Sequence, residues 1–344
     1  MVLPVKPPIT PMLAKGVSSL PTGEQWVYEP KWDGFRALVF RDGDEVYIGS
    51  RNTQPLARYF PEVVEAVRAA LPERAVVDGE IVVARDGGLD FDALQLRLHP
   101  AESRVRKLAA ETPASLIVFD MLALGDEDLR QRPLSERRAA LERSLKRTAE
   151  VGLSPQTRDP ELARSWFIRY EGAGLDGVVA KRADQGYAPG ERAMAKLKHE
   201  RTTDCVVGGY RAYAAGPGIG SLLLGLYTEE GVLHFVGHTS SFNAAERKEV
   251  LAKLEPLRGG DSFGDGRTPG GPSRWSGGKD LSWYQVKPEL VCEVAFTQMQ
   301  GPRFRHAARF LRWRPDKDPR DCTFDQLEPP EPFHLERILE GRPA

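Results

Sequence analysis

The stretch Glu29-Pro30-Lys31-Trp32-Asp33-Gly34-Phe35-Arg36 places a lysine shortly before an Asp-Gly pair, and most of the remaining chain can be interpreted around it. A lysine amine is a nucleophile only when neutral, so a reactive Lys31 needs surroundings that disfavour its protonated form. Asp33-Gly34 predicts a turn, which would hold Lys31 at the end of an extended segment. From this stretch alone, a solvated lysine beside a hairpin turn is the commoner interpretation.

Length and composition are those of an ordinary globular protein. The 344 residues are enough for two domains, and the chain is 28% charged and 41% hydrophobic, which argues against extended disorder. The formal net charge of -1 provides no global attraction to nucleic acid. Phosphate binding therefore has to come from local clusters of Lys and Arg.

Three cysteines, at positions 205, 292 and 322, fit neither a disulfide framework nor a zinc ribbon, so a reducing cytoplasm is expected. The proline-broken start from Met1 to Pro8 does not resemble a signal peptide. No apolar run approaches the roughly 20 residues needed to span a bilayer.

Short β-rich runs separated by Asp and Gly surround Lys31. Trp26–Tyr28 and Ala37–Phe40 flank its turn, and Asp42-Gly43-Asp44 joins the second run to Glu45–Ile48, which predicts antiparallel hairpins. Valines and leucines at helical spacing predict a helix over Pro61–Leu71.

Two apolar strands carry a carboxylate beside a glycine. In Val76–Val83 this is Glu80, and in Leu175–Lys181 it is Asp176. A glutamate in an apolar strand is costly unless it faces solvent, a partner or a metal, and simple alternation on an edge strand stays open. A third buried strand contains Phe119, which is either core or a face on which a base stacks.

Further elements follow in order. Leu134–Thr148 predicts a charged surface helix, and the cap Asp159-Pro160 opens a helix ending near Gly172. In Lys196-Leu197-Lys198, both amines lie on one face of a strand. An anion between them, or a solvated edge that discourages aggregation, would each explain this pair.

A polar segment over His199–Asp204 predicts a domain boundary. Beyond it, a few strands, one helix and another strand indicate a small OB-type β-barrel, with a mobile loop inserted. These comprise strands Val206–Tyr210, Leu222–Tyr227, Val232–Gly237 and Leu290–Thr297, the helix Asn243–Leu257 and the loop Arg258–Lys279. The segment Arg303–Lys317 interleaves basic and aromatic residues, which suits phosphate contact, although a solvated basic segment is the simpler alternative.

In this order, the motifs resemble those of the nucleotidyltransferase superfamily of ATP-dependent DNA ligases. The likeness is strongest to the short bacterial type, ligase C and the ligase portion of ligase D. It is carried by four stretches, which are Glu29–Arg36, Gly49-Ser50-Arg51-Asn52, Val77–Val83 and Leu175–Arg182.

The resemblance implies an α+β fold with two domains. Residues 1–200 would form an antiparallel-sheet, ATP-grasp-like adenylation domain, and residues 201–344 an OB-fold domain. It also implies ATP and Mg²⁺ or Mn²⁺ as cofactors, a monomer, and nicked duplex DNA as the substrate in DNA repair. A repair polymerase and an end-binding protein are the candidate protein partners.

The resemblance further implies a role for each matching residue. Lys31 would attack the α-phosphate of ATP and hold AMP, with Glu29 at the adenine edge and Phe119 on its face. Arg36 and Arg51 would contact the ribose, the phosphates or the nick 5′-phosphate. Metal and phosphate contacts are implied for a further set: Glu80 and Asp176 for the metal, Lys181, Lys196 and Lys198 for the phosphates, and Arg309, Arg314, Asp316 and Lys317 for the leaving pyrophosphate.

Two positions depart from the family pattern. Asp176 is shorter than the glutamate found in many ligases, and Ala195 stands where tryptophan is common. An RNA ligase, a capping-type nucleotidyltransferase and an inactive nick-binding module remain alternative interpretations.

Overall fold

The computed structural model describes residues 1–264, 269 and 282–339. Within it the chain divides into two compact units. The first comprises Met1–His199 together with the C-terminal segment from Pro330, and the second comprises Glu200–Pro329.

Two sheets build the first unit. A four-stranded sheet has the order β1-β11-β10-β2, and a seven-stranded sheet has the order β4-β3-β5-β7-β8 with β6 on β5 and β9 on β7. Its strands are β1 (Ala14–Gly16), β2 (Trp26–Lys31), β3 (Phe35–Asp42), β4 (Glu45–Gly49), β5 (Arg74–Arg85), β6 (Gly88–Leu89), β7 (Ala114–Leu124), β8 (Glu127–Asp128), β9 (Val151–Leu153), β10 (Gly177–Arg182) and β11 (Met194–Lys198).

The core of the first unit forms because the central strands β3, β5 and β7 are apolar and buried. Val39, Val77 and Val118 are fully buried and pack with Val63 and Val67 of a helix in one hydrophobic cluster. The helices up to the end of β11 are α1 (Pro61–Ala70), α2 (Phe91–Leu96), α3 (Glu102–Glu111), α4 (Leu134–Ser144) and α5 (Pro160–Arg169).

The Lys31 turn is not a hairpin, which corrects the sequence-based prediction for its two flanking strands. β2 pairs with β10 in one sheet, whereas β3 pairs with β4 and β5 in the other. Residues 32–34 therefore carry the chain from one sheet to the other. A Cβ on Gly34 would lie 2.2 Å from the Ile81 carbonyl oxygen, so this crossing requires glycine. The β3–β4 hairpin is confirmed.

The predicted helices agree with the structure except at their ends and in the burial of one helix. α1 ends one residue early, and α5 continues past Arg169 only as a 3₁₀ turn. The prediction of a surface helix from residue 134 is wrong for one face of α4. Arg137 and Arg138 are buried there, because Asp120 accepts two hydrogen bonds from Arg137 and the Ser154 carbonyl accepts one from Arg138.

The second unit is a small barrel of mostly antiparallel strands in the order β14-β13-β12-β16-β19, with β15 on β12. A parallel bridge between Thr239 and Ala308 brings the two edges together. Its elements are β12 (Arg201–Ala212), β13 (Ile219–Tyr227), β14 (Leu233–Thr239), α6 (Ala244–Leu254), β15 (Tyr284–Gln285), β16 (Val291–Phe296), β17 (Met299–Gln300), β18 (Arg303–Phe304) and β19 (Arg309–Trp313). The predicted capping pair is confirmed, since Asn243 and Glu246 form a capping box on α6.

After the barrel, the chain returns to the first unit. Helix α7 (Leu335–Leu339) buries Leu335 and Ile338 in a cluster with Trp166 and Tyr170. The sequence-based division had assigned this segment to the second domain. Of the predicted mobile loop Arg258–Lys279, residues 265–268 and 270–279 lie outside the described residues.

Candidate active site

A pocket of about 290 Å³ in the first unit is lined by residues of both sheets. It brings together nine residues that the sequence singled out. These are Glu29, Lys31, Arg36, Arg51, Glu80, Phe119, Lys181, Lys196 and Lys198. The crossing of the chain from β2 to β3 explains this convergence, since Lys31 is the last residue of β2 in one sheet and Arg36 is the second residue of β3 in the other.

Lys31 forms an ion pair with a buried carboxylate. Its Nζ lies 2.7 Å from Oδ2 of Asp176, and the Nζ of Lys198 lies 2.7 Å from the same oxygen. Asp176 is 5% exposed, whereas the two lysine side chains are 21% and 30% exposed. Burial alone would raise the pKa of Asp176, but the two ammonium groups outweigh it and hold this pKa far below its usual range.

Strand register explains why one aspartate reaches both lysines. Gly177 of β10 lies opposite Lys31 on one side and opposite Lys198 on the other. Asp176 directly precedes it and donates its backbone N–H to the Lys31 carbonyl oxygen at 3.0 Å. A Cβ on Gly177 would lie 2.0 Å from the Leu197 carbonyl oxygen, so the close strand approach requires glycine.

The other lysine of the Lys-x-Lys pair, Lys196, also lines the pocket. Burial lowers its pKa, and the neighbouring charges of Lys198, Lys31 and Arg51 lower it further. The two amines lie on one face of β11, as the alternation of side chains predicted. An excess of positive charge at this end of the pocket suits a polyphosphate.

Glu80 lies opposite Arg36 in the β3–β5 register and is partly buried. Desolvation raises the pKa of Glu80 to about 7, although Arg36 and Lys31 partly offset it. Among the described residues, no cationic nitrogen lies within 4.0 Å of its carboxylate. Arg36 is instead held by Asp78, which accepts from its Nε and, at 2.6 Å, from its Nη2.

The opposite end of the pocket contains a second buried ion pair. Oε2 of Glu29 accepts from the Nζ of Lys181 at 2.7 Å, and Oε1 accepts from Nε2 of Gln156 at 2.9 Å. The Lys181 ammonium also lies 4.2 Å from the centre of the Phe119 ring. The ammonium of Lys181 is therefore paired with Glu29 in this structure, and its contact with the phosphates stays a prediction.

A metal ion would find few protein ligands here. The described residues contain no group of three or more His, Cys, Asp and Glu side chains that could hold one. Glu80 and Asp176 remain as candidates, and Mg²⁺ commonly uses one or two carboxylates together with substrate phosphates. The raised pKa of Glu80 and the absence of a cationic partner among the residues that the structure describes fit a carboxylate that can bind a cation.

Several supporting residues were missed by the sequence analysis. Ser154 accepts from Nε1 of the buried pocket residue Trp32 at 2.9 Å, and Tyr187 donates to Asp78 at 2.6 Å. Gln156 and the exposed Arg192 were missed as well. Asp78 could have been found, because it stands beside Gly79 in a strand motif already noted. The others lie in irregular segments or on residues without a distinctive pattern.

The four predicted barrel residues, Arg309, Arg314, Asp316 and Lys317, lie in or just after β19 of the second unit. Arg314 donates to both carboxylate oxygens of Asp204 at 2.9 Å and also to Asp316. The hydrogen bond from Arg314 lowers the pKa of Asp316 to about 2. Arg309 pairs with Glu200 at 2.8 Å. Their contact with pyrophosphate stays a prediction.

Comparisons with known proteins match both units. Residues 11–198 match the family model described as the ATP dependent DNA ligase domain, and residues 215–317 match its C terminal region. The chain is 53% identical to DNA ligase C of Mycobacterium tuberculosis and 51% identical to DNA ligase C1 of Mycolicibacterium smegmatis. Each comparison covers 99% of both proteins.

A solved structure from a study of Lig E DNA ligases gives a TM-score of 0.56 at 18% identity. It covers 89% of this chain and 99% of that chain, and supports the fold alone. Within residues 1–264 and 282–339, no helix is long and apolar enough to cross a membrane.

Proposed function

This chain belongs to the ATP-dependent DNA ligases, and on that premise we propose that Lys31 accepts AMP from ATP and passes it to the 5′-phosphate of a nick. The predicted family, fold class and enzymatic activity are confirmed by its relatives. One observation carries the assignment of residues. The Lys31 amine faces a pocket whose walls hold three further cationic side chains at one end and a buried carboxylate with an aromatic ring at the other.

In the first step the neutral Lys31 nitrogen attacks the α-phosphorus of ATP. An N–P bond forms, the P–O bond to the β-phosphate breaks, and pyrophosphate leaves. The proton released by the nitrogen passes to water. Negative charge grows on the phosphate oxygens as this bond breaks, and Lys196 and Lys198 stabilise it.

The next two steps move the nucleotide onto DNA and off again. An oxygen of the 5′-phosphate attacks the phosphorus of AMP, which forms a P–O–P bond and breaks the N–P bond to Lys31. The leaving nitrogen takes up a proton from water and becomes the Lys31 amine again. The 3′-hydroxyl oxygen then attacks the 5′-phosphorus, loses its proton and expels AMP. Each step transfers a phosphoryl group, so the same cationic end serves all three.

Asp176 positions the Lys31 amine before the reaction. Its Oδ2 atom is shared with Lys198, so the aspartate holds two nitrogens close to the same point of the pocket. Once Lys31 carries AMP it is a neutral phosphoramide and no longer pairs with Asp176. The carboxylate then retains one cation and can accept another ligand.

Enzymes of this family use a divalent cation together with ATP. Glu80 and Asp176 would hold it, and the pocket-facing Glu80 carboxylate fits this role because it has no ionic partner among the described residues. When bound, the ion neutralises charge on phosphate oxygens.

Four residues near β19 form the second part of the proposal. Arg309, Arg314, Asp316 and Lys317 would engage the leaving pyrophosphate, as in the family whose C terminal region matches residues 215–317. The Arg314 pairs with Asp204 and Asp316 keep its guanidinium charged and its segment ordered. Engagement of pyrophosphate would exchange one of these carboxylates for a phosphate.

DNA is the substrate of the family, and nicked duplex DNA in a repair reaction is the specific substrate proposed. A repair polymerase or an end-binding protein would deliver the nick to a monomeric ligase. The three cysteines are free and buried, which supports a reducing cytoplasm as the location.

A chase experiment tests this function. Protein labelled with [α-³²P]ATP is freed of nucleotide and mixed with singly nicked duplex DNA or with nicked duplex RNA. The expected result is release of labelled AMP and a sealed DNA strand, with little sealing of RNA. Sealing of RNA alone, or retention of the label on the protein, would contradict the proposal.

A further inference from the structure

The buried carboxylate of Glu29 lines the pocket at the end proposed above for the base and is 2% exposed. Each of its oxygens already accepts one hydrogen bond, Oε1 from Gln156 and Oε2 from Lys181. Both donors come from outside β2, which carries Glu29. The arrangement therefore depends on tertiary structure, and neither Gln156 nor this position of Lys181 followed from the motifs.

The segment that carries Gln156 is fixed against β2 by the backbone. Tyr28 and Thr157 exchange two backbone hydrogen bonds of 2.8 and 3.0 Å, which brings Gln156 beside Glu29. Two residues before it, the hydroxyl oxygen of Ser154 accepts a hydrogen bond from the indole N–H of Trp32. Gln156 is thus held at both sides, and its amide has little freedom to turn away from the carboxylate.

Lys181 is fixed from the opposite direction. It lies on β10, which pairs with β2, and its ammonium lies between the Glu29 carboxylate and the Phe119 ring. At 4% exposure it is nearly as buried as Glu29. Because both carboxylate oxygens accept hydrogen bonds from Gln156 and Lys181, they present lone pairs and no proton to a further group.

We infer that Gln156 and Lys181 are positioning residues that hold Glu29 as an acceptor-only group, and that this selects a purine with an amino group at position 6. Adenine offers N–H donors there, whereas guanine offers the acceptor oxygen O6. Each Glu29 oxygen retains a further lone pair for a donor. With guanine bound, its O6 would lie against a Glu29 oxygen with no proton between these two acceptors, which is costly in a buried site.

This inference rests on the proposed function, because it concerns the base-binding end of the same pocket. It goes further by assigning two residues that act through Glu29 and by naming the nucleotide feature that they select. The alternative is that Gln156 and Lys181 only stabilise the fold of the segment.

The test compares Gln156→Leu with wild-type protein in self-nucleotidylation by labelled ATP and by labelled GTP. Loss of one hydrogen bond to a charged group should raise the KM for ATP about tenfold, with a smaller change in kcat. The ATP-to-GTP ratio of kcat/KM should fall about tenfold, because Glu29 is no longer held toward the base. The exposed Gln131→Leu is the matched control and should leave both values unchanged.

A second pair of variants guards against simple misfolding. Lys181→Met should lower the ratio further, since the Glu29 carboxylate then loses the ammonium group that holds it as an acceptor toward the base. Lys181→Arg should restore most of the ratio. Arg182→Met, which removes the exposed neighbour that pairs with Asp184, serves as the control.

An unchanged ATP-to-GTP ratio in Gln156→Leu and Lys181→Met, with kcat/KM lowered equally for both nucleotides, would overturn the inference and leave only a structural role. Failure of the wild-type protein to become labelled with ATP would instead contradict the proposed function.

Discussion

The two ends of the nucleotide pocket both contain carboxylates and lysines, but they differ in net charge and in burial. At the end that we assign to the base, the charges of Glu29 and Lys181 cancel, both side chains are almost fully buried, and Gln156 donates to the second carboxylate oxygen. At the end that we assign to the phosphates, four cations share the pocket wall with the partly exposed Glu80, two of them pair with the buried Asp176, and the cations themselves remain at least partly exposed. The four cations are Lys31, Arg51, Lys196 and Lys198.

The difference indicates which part of the site is preorganised before the substrate binds. A neutral, satisfied pair recognises a neutral base without reorganising, so changes there should appear mainly in KM. An unbalanced cationic cluster becomes balanced only when phosphates enter. Changes there should appear mainly in kcat, because charge on phosphate oxygens grows in the transition state.

Loss of the nucleophile is the largest expected effect. Lys31→Ala should reduce covalent labelling by [α-³²P]ATP about 10⁴-fold or more, because the variant lacks the nitrogen that forms the bond to the α-phosphorus. Labelling is measured on a denaturing gel. Lys107→Ala on the exposed surface of α3 is the matched control and should label normally. Persistent labelling of Lys31→Ala would move the nucleophile elsewhere.

The next variant tests whether the phosphate-facing end acts on the transition state. Lys198→Met removes one of the two ammonium groups on Asp176 and should lower kcat for self-adenylation about 100-fold. The KM for ATP should change much less. A rise in KM at constant kcat would break the proposed contrast between the two ends.

The raised pKa of Glu80 predicts that Mg²⁺ binding at the end assigned to the phosphates depends on pH. Its pKa of about 7 means that the carboxyl is mostly protonated at pH 6 and mostly ionised at pH 8. Because only the ionised form binds a cation, the Mg²⁺ concentration for half-maximal adenylation should fall about tenfold from pH 6 to pH 8. Glu80→Gln should lose this dependence. An identical pH profile in that variant would exclude Glu80 as its source.

The same raised pKa predicts an effect on stability. A carboxyl whose pKa is higher in the folded protein stabilises the fold fully below the unfolded value of 4.5, and this contribution is lost as pH rises through about 7. Without Mg²⁺ at pH 8, Glu80→Gln should therefore increase the free energy of unfolding by about 1–3 kcal/mol. Chemical denaturation of both proteins at pH 5 and pH 8 checks this. The free energy of unfolding of the two proteins should be similar at pH 5 and should differ at pH 8.

The smallest expected effect is at the base-facing end. Phe119→Leu keeps an apolar surface but removes the aromatic face, and should raise the KM for ATP about fivefold with kcat nearly unchanged. Steady-state adenylation measures both constants. A fall in kcat without a change in KM would show that Phe119 is not part of base binding.

The sequence alone predicted the strands, the motif residues and the family because each depends on short patterns. Glu80 and Asp176 could be recognised as carboxylates inside apolar strands, and the alternation of β11 placed Lys196 and Lys198 on one face. The sequence did not predict which ion-pair partner each charged side chain would have. Lys181 was expected at the phosphates, yet the register of β10 against β2 brings it to Glu29.

The sequence by itself therefore determined the chemical groups and their order along the chain, since a motif needs only neighbours within a few residues. Tertiary structure decided the rest. The passage of the chain between two sheets, the return of α7 to the first unit and the approach of Gln156 to Glu29 all join residues far apart in sequence. Such contacts depend on strand register and packing, and local propensity contains no information about either.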